Sequence, residues 1–168
     1  SMTRSPSGPL ALLLVVSALL LGAPRATAAL DEPGRLWLVA QRAFEDRLNG
    51  VARVSLERLV ERYPQDGRYG DALLLLGKVR FAEGALEPAL TAFRQARTIT
   101  PPPGEPQEAR FWEAETLFRL GRYDAARGAY EGVVAADAAS KYAPDSLYGL
   151  AWSELELKHR DPAINAFR

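Results

Sequence analysis

Few side chains in this sequence can do covalent or metal chemistry. His159 is the only imidazole, there is no Cys, and the His lies in "LKHRDP", which reads as a tight turn ahead of a last helix. A zinc site needs three or four imidazole, thiolate or carboxylate ligands converging on one point. A single solvated turn histidine does not supply them. The stretch "LGRYDAARGAY" (120–130) has the small-residue density of a ligand loop, with Gly121 and Gly128 at its centre. Yet no serine elbow, P-loop or dinucleotide fingerprint accompanies it. Carboxylates are numerous but dispersed. Glu113 and Glu115 point in different directions on a helix, so they do not form an acid and base pair. Glu83, Glu87 and Asp124 fall at helix ends and first turns. The expectation is a non-enzymatic chain with no metal, no cofactor and no small-molecule substrate.

The chain carries 21 basic and 21 acidic side chains, so no excess charge points to nucleic acid or to an anionic membrane surface. Residues 1–28 differ from the rest. Arg4 precedes the apolar run "LALLLVVSALLLGA", and "PRATA" ends in the small-x-small pattern Ala26, Thr27, Ala28. A basic start, a short apolar centre and a small-residue site are the layout of a cleavable signal peptide. The run is shorter than the ~20 residues that span a bilayer; an uncleaved anchor is the alternative reading. Cleavage after Ala28 removes two Arg and no acid, leaving a net charge near −2. An exported chain without Cys has no disulfide and must be held by packing. It also lacks the Cys that bacterial lipoproteins acylate. A periplasmic or secreted protein with no stable membrane anchor after cleavage is expected.

What positions these residues is a repeat of 37. Ala52, Ala89, Ala126 and Ala163 stand 37 residues apart, and Leu56, Phe93, Tyr130 and Phe167 follow them by four. Phe44, Phe81, Phe118 and Leu155 precede them by eight, and Ala40, Gly77, Ala114 and Ala151 by twelve. Four columns of matched size and polarity over four copies mark a repeat architecture. Each unit reads as two helices. Gly84 and Gly121 stop the first helix, and Glu87-Pro88, Asp124 and Asp161-Pro162 open the second, where a missing N–H is harmless and the dipole favours an acid. "RYPQDGRYGD", "TPPPGEPQ" and "AADAASKYAPDS" separate the units. The predicted helices are 34–47, 50–63, 69–83, 86–99, 106–120, 123–136, 144–158 and 161 onward, in repeats of about 33–69, 70–106, 107–143 and 144–168, following the signal peptide 1–28. Ala40 with Ala52, and Ala114 with Ala126, are placed where the helices of a unit cross. Leu56, Phe93 and Tyr130 are placed in the wedge beside the crossing.

The array Gly77, Gly84, Ala89, Phe93, Ala96, Pro101 resembles the tetratricopeptide repeat signature, and Ala114, Gly121, Tyr123, Ala126, Tyr130 resembles a second copy. The resemblance covers residues 33–168. Arg47 and Lys158 depart from its mid-repeat Gly, Ala138 departs from its terminal Pro, and the period exceeds the usual ~34. The resemblance implies an all-α, right-handed solenoid of antiparallel helix pairs, about 3.5 to 4 repeats over 29–168. Together with export and the absence of Cys, "RYPQDGRYGDALLLLG" and "SKYAPDSLYGLAWSELELKHRDPAINAFR" are most similar to bacterial envelope tetratricopeptide proteins of the Tol-Pal coordinator and outer-membrane assembly types.

In that architecture the first helices line a concave groove. The register puts Trp37, Gln41, Phe44, Leu74, Lys78, Phe81, Phe111, Glu115, Phe118, Tyr148 and Trp152 on it, with Leu155 beside them. Pairs such as Trp37–Phe44 and Phe111–Phe118 are seven residues apart and share a face. An apolar groove with a few polar groups suits an extended or helical peptide, so the implied partner is another protein or a peptide segment of the cell envelope. The corresponding function is a scaffold or adaptor in envelope assembly or division. Two alternatives stay open: the targeting arm of a larger envelope enzyme, and a structural oligomerisation module. The sequence stops at Arg168, about two turns into the eighth predicted helix. That, with Ser1 before Met2, reads as a fragment of a longer protein.

Overall fold

The computed structural model describes residues 29–166, with side chains through His159. The expected signal segment 1–28 and the repeat position Phe167 lie outside the described residues, as does the side chain of Ala163. The chain divides into two units, Ser1–Leu30 and Asp31–Arg168, and the described helices all belong to the second.

Seven helices and no strand occur among the described residues: α1 (Glu32–Glu45), α2 (Asn49–Arg62), α3 (Tyr69–Ala82), α4 (Leu86–Arg97), α5 (Glu108–Arg119), α6 (Tyr123–Ala136) and α7 (Ala143–Ala166). The first six begin and end within about two residues of the predicted bounds. Asp31 caps α1 by accepting the Gly34 N–H at 2.8 Å. No described helix is long and apolar enough to cross a membrane.

Each helix pair turns through the same device. Residues 47, 84 and 121 hold φ of 60°, 78° and 72°, and the N–H of the next residue reaches back to the Ala43, Arg80 or Leu117 carbonyl at 2.7, 2.8 and 2.9 Å. This is a Schellman cap, and its left-handed residue favours glycine. Two units supply Gly84 and Gly121. The first uses Arg47 at a cost of about 1–2 kcal/mol, offset because the turn lays α2 on α1 and buries Ala52, Leu56 and Leu59 completely.

Every helix packs on its neighbours in the chain, and α3 also touches α5, as α5 touches α7. First helices therefore share a layer. The core forms three clusters that straddle the units: Ala72, Leu76 and Val79 of α3 join Ala40, Ala52 and Leu56, while Ala109 of α5 joins Ala89, Phe93 and Ala96. No pair closes its own core, which is the logic of a solenoid. Gly77 has a definite role. A Cβ there would stand 2.5 Å from the Phe93 ring, so only glycine lets α4 lay that ring against α3.

The fourth unit differs from expectation. The break predicted near His159 does not occur: α7 runs unbroken from Ala143 to Ala166, joining the helices expected over 144–158 and from 161 onward. His159 is an exposed residue of α7 and not part of a tight turn. Lys158 holds the register of Arg47, Gly84 and Gly121, and as a good helix former it continues the helix at no backbone cost. Ala151, in the register of the buried Ala40, Gly77 and Ala114, is correspondingly exposed.

Candidate binding groove

Two cavities open on the layer of first helices. The first, about 350 Å³, is lined by Trp37, Gln41 and Phe44 of α1, Leu74 and Lys78 of α3, and three carboxylates, Glu45, Asp71 and Glu108. Lys78 is the groove cation expected from sequence, but it is committed: its ammonium pairs with Glu108, which is 6% exposed. The Glu108 carboxylate also accepts the Glu105 N–H at 3.0 Å. Burial alone would raise the Glu108 carboxyl. The Glu105 N–H, the Lys78 ammonium and the Tyr142 hydroxyl outweigh it and hold the group below its ordinary 4.5. Tyr142 is in turn pushed up, first by burial and then by the Glu108 charge. This network joins α3, α5 and the loop before α7.

The second cavity, about 400 Å³, lies between α5 and α7. Glu115, Phe118, Tyr130, Tyr148, Gly149, Trp152 and Glu156 line it. Tyr130 is buried and donates its hydroxyl to Glu115 at 2.6 Å; burial, then this bond, raises its pKa. Tyr148 and Trp152 meet edge to face at 6.2 Å and are 67% and 41% exposed. Among the described residues no basic side chain lines this cavity.

Of the residues assigned to the groove by register, Trp37, Gln41, Phe44, Leu74 and Lys78 meet at the first cavity and Glu115, Phe118, Tyr148 and Trp152 at the second. Leu155 is exposed beside the latter on α7. Phe81 and Phe111 line neither. Phe111 is a correction: it is buried, with Tyr142 stacked on it at 4.9 Å and 26°. Phe81 is half-buried, with Trp112 edge-on at 5.3 Å and the Arg119 guanidinium over its face at 4.7 Å. The repeat positions Ala52, Ala89, Ala126, Phe93 and Tyr130 are buried, and Gly84 and Gly121 occupy the turns. Gly128 has open space around it and lies on the exposed side of α6.

Sequence reasoning passed over Trp112, Asp71, Glu108 and Glu156. Glu156 follows Trp152 by four residues and so shares its face, a signal that was readable. Trp112 stacks on Phe93 at 6.2 Å and 18°; its register mates are Leu38, Leu75 and Gly149, so no column marked it. Glu108 and its partner Lys78 are 30 residues apart, a spacing the repeat does not predict. Among the described residues no group of three or more His, Asp or Glu is placed to hold a metal ion.

The tetratricopeptide repeat family matches residues 108–140, which span α5, α6 and the turn after them. No curated protein matches the chain. Among solved structures, one described as MamA RS-1 ArsTM double mutant superposes with a TM-score of 0.65 at 19% identity, covering 83% of this chain and 73% of that one. At that identity the likeness concerns the fold. An all-α array of helix pairs, a 37-residue register and a repeat match at its third unit together support the tetratricopeptide repeat family for this chain.

Proposed function

We propose that this chain is a non-enzymatic scaffold of the bacterial cell envelope, exported by residues 1–28, that binds a segment of another protein along its first-helix layer. Tetratricopeptide arrays typically bind proteins or peptides, which supports the kind of partner. The observation that carries the reading is the pair of aromatic-lined cavities, with Trp37 and Phe44 at one and Phe118, Tyr148 and Trp152 at the other. Tyr148 and Trp152 are exposed, while Trp37, Phe44 and Phe118 are half-buried against the core; aromatics at a groove surface provide the anchors of protein interfaces. The envelope setting rests on the signal-like segment, the absence of Cys and the resemblance to envelope repeat proteins.

The test is capture from envelope extract by the chain and by a Trp37→Ala, Tyr148→Ala, Trp152→Ala variant, with thermal unfolding to verify that the variant is folded. The expected result is loss of most captured protein, against full retention by Thr91→Ala on the exposed side of α4. Equal capture by all three forms overturns the groove reading. The intact mass of the protein from its host should correspond to a chain beginning at Ala29, and a chain retaining residues 1–28 overturns cleavage of the signal.

A further inference from the structure

The second cavity is an altered copy of a filled site: the Tyr130 ring has closed on Gly149, three of its atoms within 2.7 Å of where a Cβ would stand, and the register shows what else differs. At the junction of α3 and α5, the space beside Phe93 is occupied by the Trp112 indole, and the face of Phe81 is covered by the Arg119 guanidinium at 4.7 Å. One repeat later Phe93 becomes Tyr130 and Phe81 becomes Phe118. The two residues that fill and cover them become Gly149 in place of Trp112 and Glu156 in place of Arg119, each 37 positions on. Lys78, which lies over the Trp112 ring at 5.8 Å, becomes Glu115. The second junction has thus lost an indole and two cations and gained two carboxylates around an aromatic wall. About 400 Å³ stands open beside this wall.

We propose that this cavity is a binding site for an arginine side chain of the partner segment, whose guanidinium takes the place over Phe118 that Arg119 takes over Phe81. The proposal rests on the groove reading above and names the chemistry of what the groove recognises. Charge complementarity selects the cation, because the charged groups lining the cavity are Glu115 and Glu156, and among the described residues no Lys or Arg accompanies them. Shape and stacking select guanidinium over ammonium. A planar cation lies flat against Phe118, Tyr148 or Trp152, and its forked donors reach carboxylates on two sides. Glu115 is pre-positioned by the 2.6 Å bond from Tyr130, so its charge is held at the wall without an ordering cost.

The test is an NMR titration of the 15N-labelled chain with N-acetyl-arginine amide and, in parallel, with N-acetyl-citrulline amide, its neutral isostere. The Trp152 indole N–H and the Gly149 amide report on the cavity, and the Trp37 indole on the other end of the groove. Saturable shifts at Trp152 and Gly149 with arginine, at least tenfold weaker with citrulline and weakened at least tenfold by Glu115→Gln with Glu156→Gln, are expected. Gln at 115 still accepts the Tyr130 hydroxyl, so this variant keeps the wall. Equal binding of citrulline, or no shift at Trp152 with either probe, overturns the arginine site. If capture is nonetheless lost in the Trp37, Tyr148 and Trp152 variant, the groove reading survives that failure. If capture is retained, both readings fall.

Discussion

Phe93→Ala is expected to lower the stability of the chain by about 3–5 kcal/mol, the range for emptying a buried aromatic site. The ring is fully buried. It contacts Gly77 of α3 on one side and stacks on Trp112 of α5 on the other, so its removal opens the contact within the second unit and that unit's contact with the third. Against a total of roughly 5–15 kcal/mol for a domain, the loss is large, and the urea midpoint should fall accordingly. The ring is coupled to Gly77. Gly77→Ala alone places a methyl where three ring atoms stand within 2.9 Å and should cost about 1–3 kcal/mol through overpacking. In the Phe93→Ala background the same methyl enters free space and should cost little or nothing. Additive effects of the two substitutions would mean that the ring does not sit where the structure places it.

Lys78→Met is the second substitution with a large expected effect. It leaves the Glu108 carboxylate buried without its cation, and breaking a buried pair from one side costs about 3–5 kcal/mol. The pH dependence comes from the direction of the shift. The folded pKa of Glu108 lies below its ordinary value of 4.5, so its contribution is fully present above that value and is lost as pH falls through the folded pKa. Without Lys78 the Glu105 N–H and the Tyr142 hydroxyl still oppose burial, but the carboxyl rises relative to the parent chain, and protonation relieves the variant. The stability gap should therefore be widest near pH 7 and narrow under acid, as read from urea midpoints across that range. Lys78→Met with Glu108→Gln should recover most of the loss at pH 7. A gap independent of pH would show that the Lys78 stem, and not its charge, was what mattered.

Most of the fold was legible because the forces that build it are local or periodic. The Ala and aromatic columns locate helix crossings, and Gly84 and Gly121 locate turns. The first-unit and fourth-unit departures show the limit of that reading. Arg47 and Lys158 both replace the turn glycine, yet Arg47 takes φ 60° and Lys158 stays helical. Residue type at the turn does not by itself decide the outcome; in the first unit the burial of Ala52 and Leu56 by the helix after the turn offsets the strained Arg47. The candidate site was legible in the same proportion. Register places Trp37, Phe44, Tyr148 and Trp152 on one layer. It cannot place Phe111, which a tyrosine from a later loop covers, or reveal that Lys78 is already paired with Glu108. The second cavity lies where the repeat departs from itself, with Trp112 becoming Gly149 and Arg119 becoming Glu156, and columns of matched residues do not mark a departure.

The central claim, that the first-helix layer is where this chain meets its partner, is tested most directly by photo-crosslinking in the host cell. A benzophenone amino acid is placed at Gln41 or Tyr148 on that layer, or at Thr91 on the exposed side of α4. Crosslinks to the same partner are expected from Gln41 and Tyr148, with arginine in the peptide joined to Tyr148, and none from Thr91. Crosslinks from Thr91 alone would contradict it.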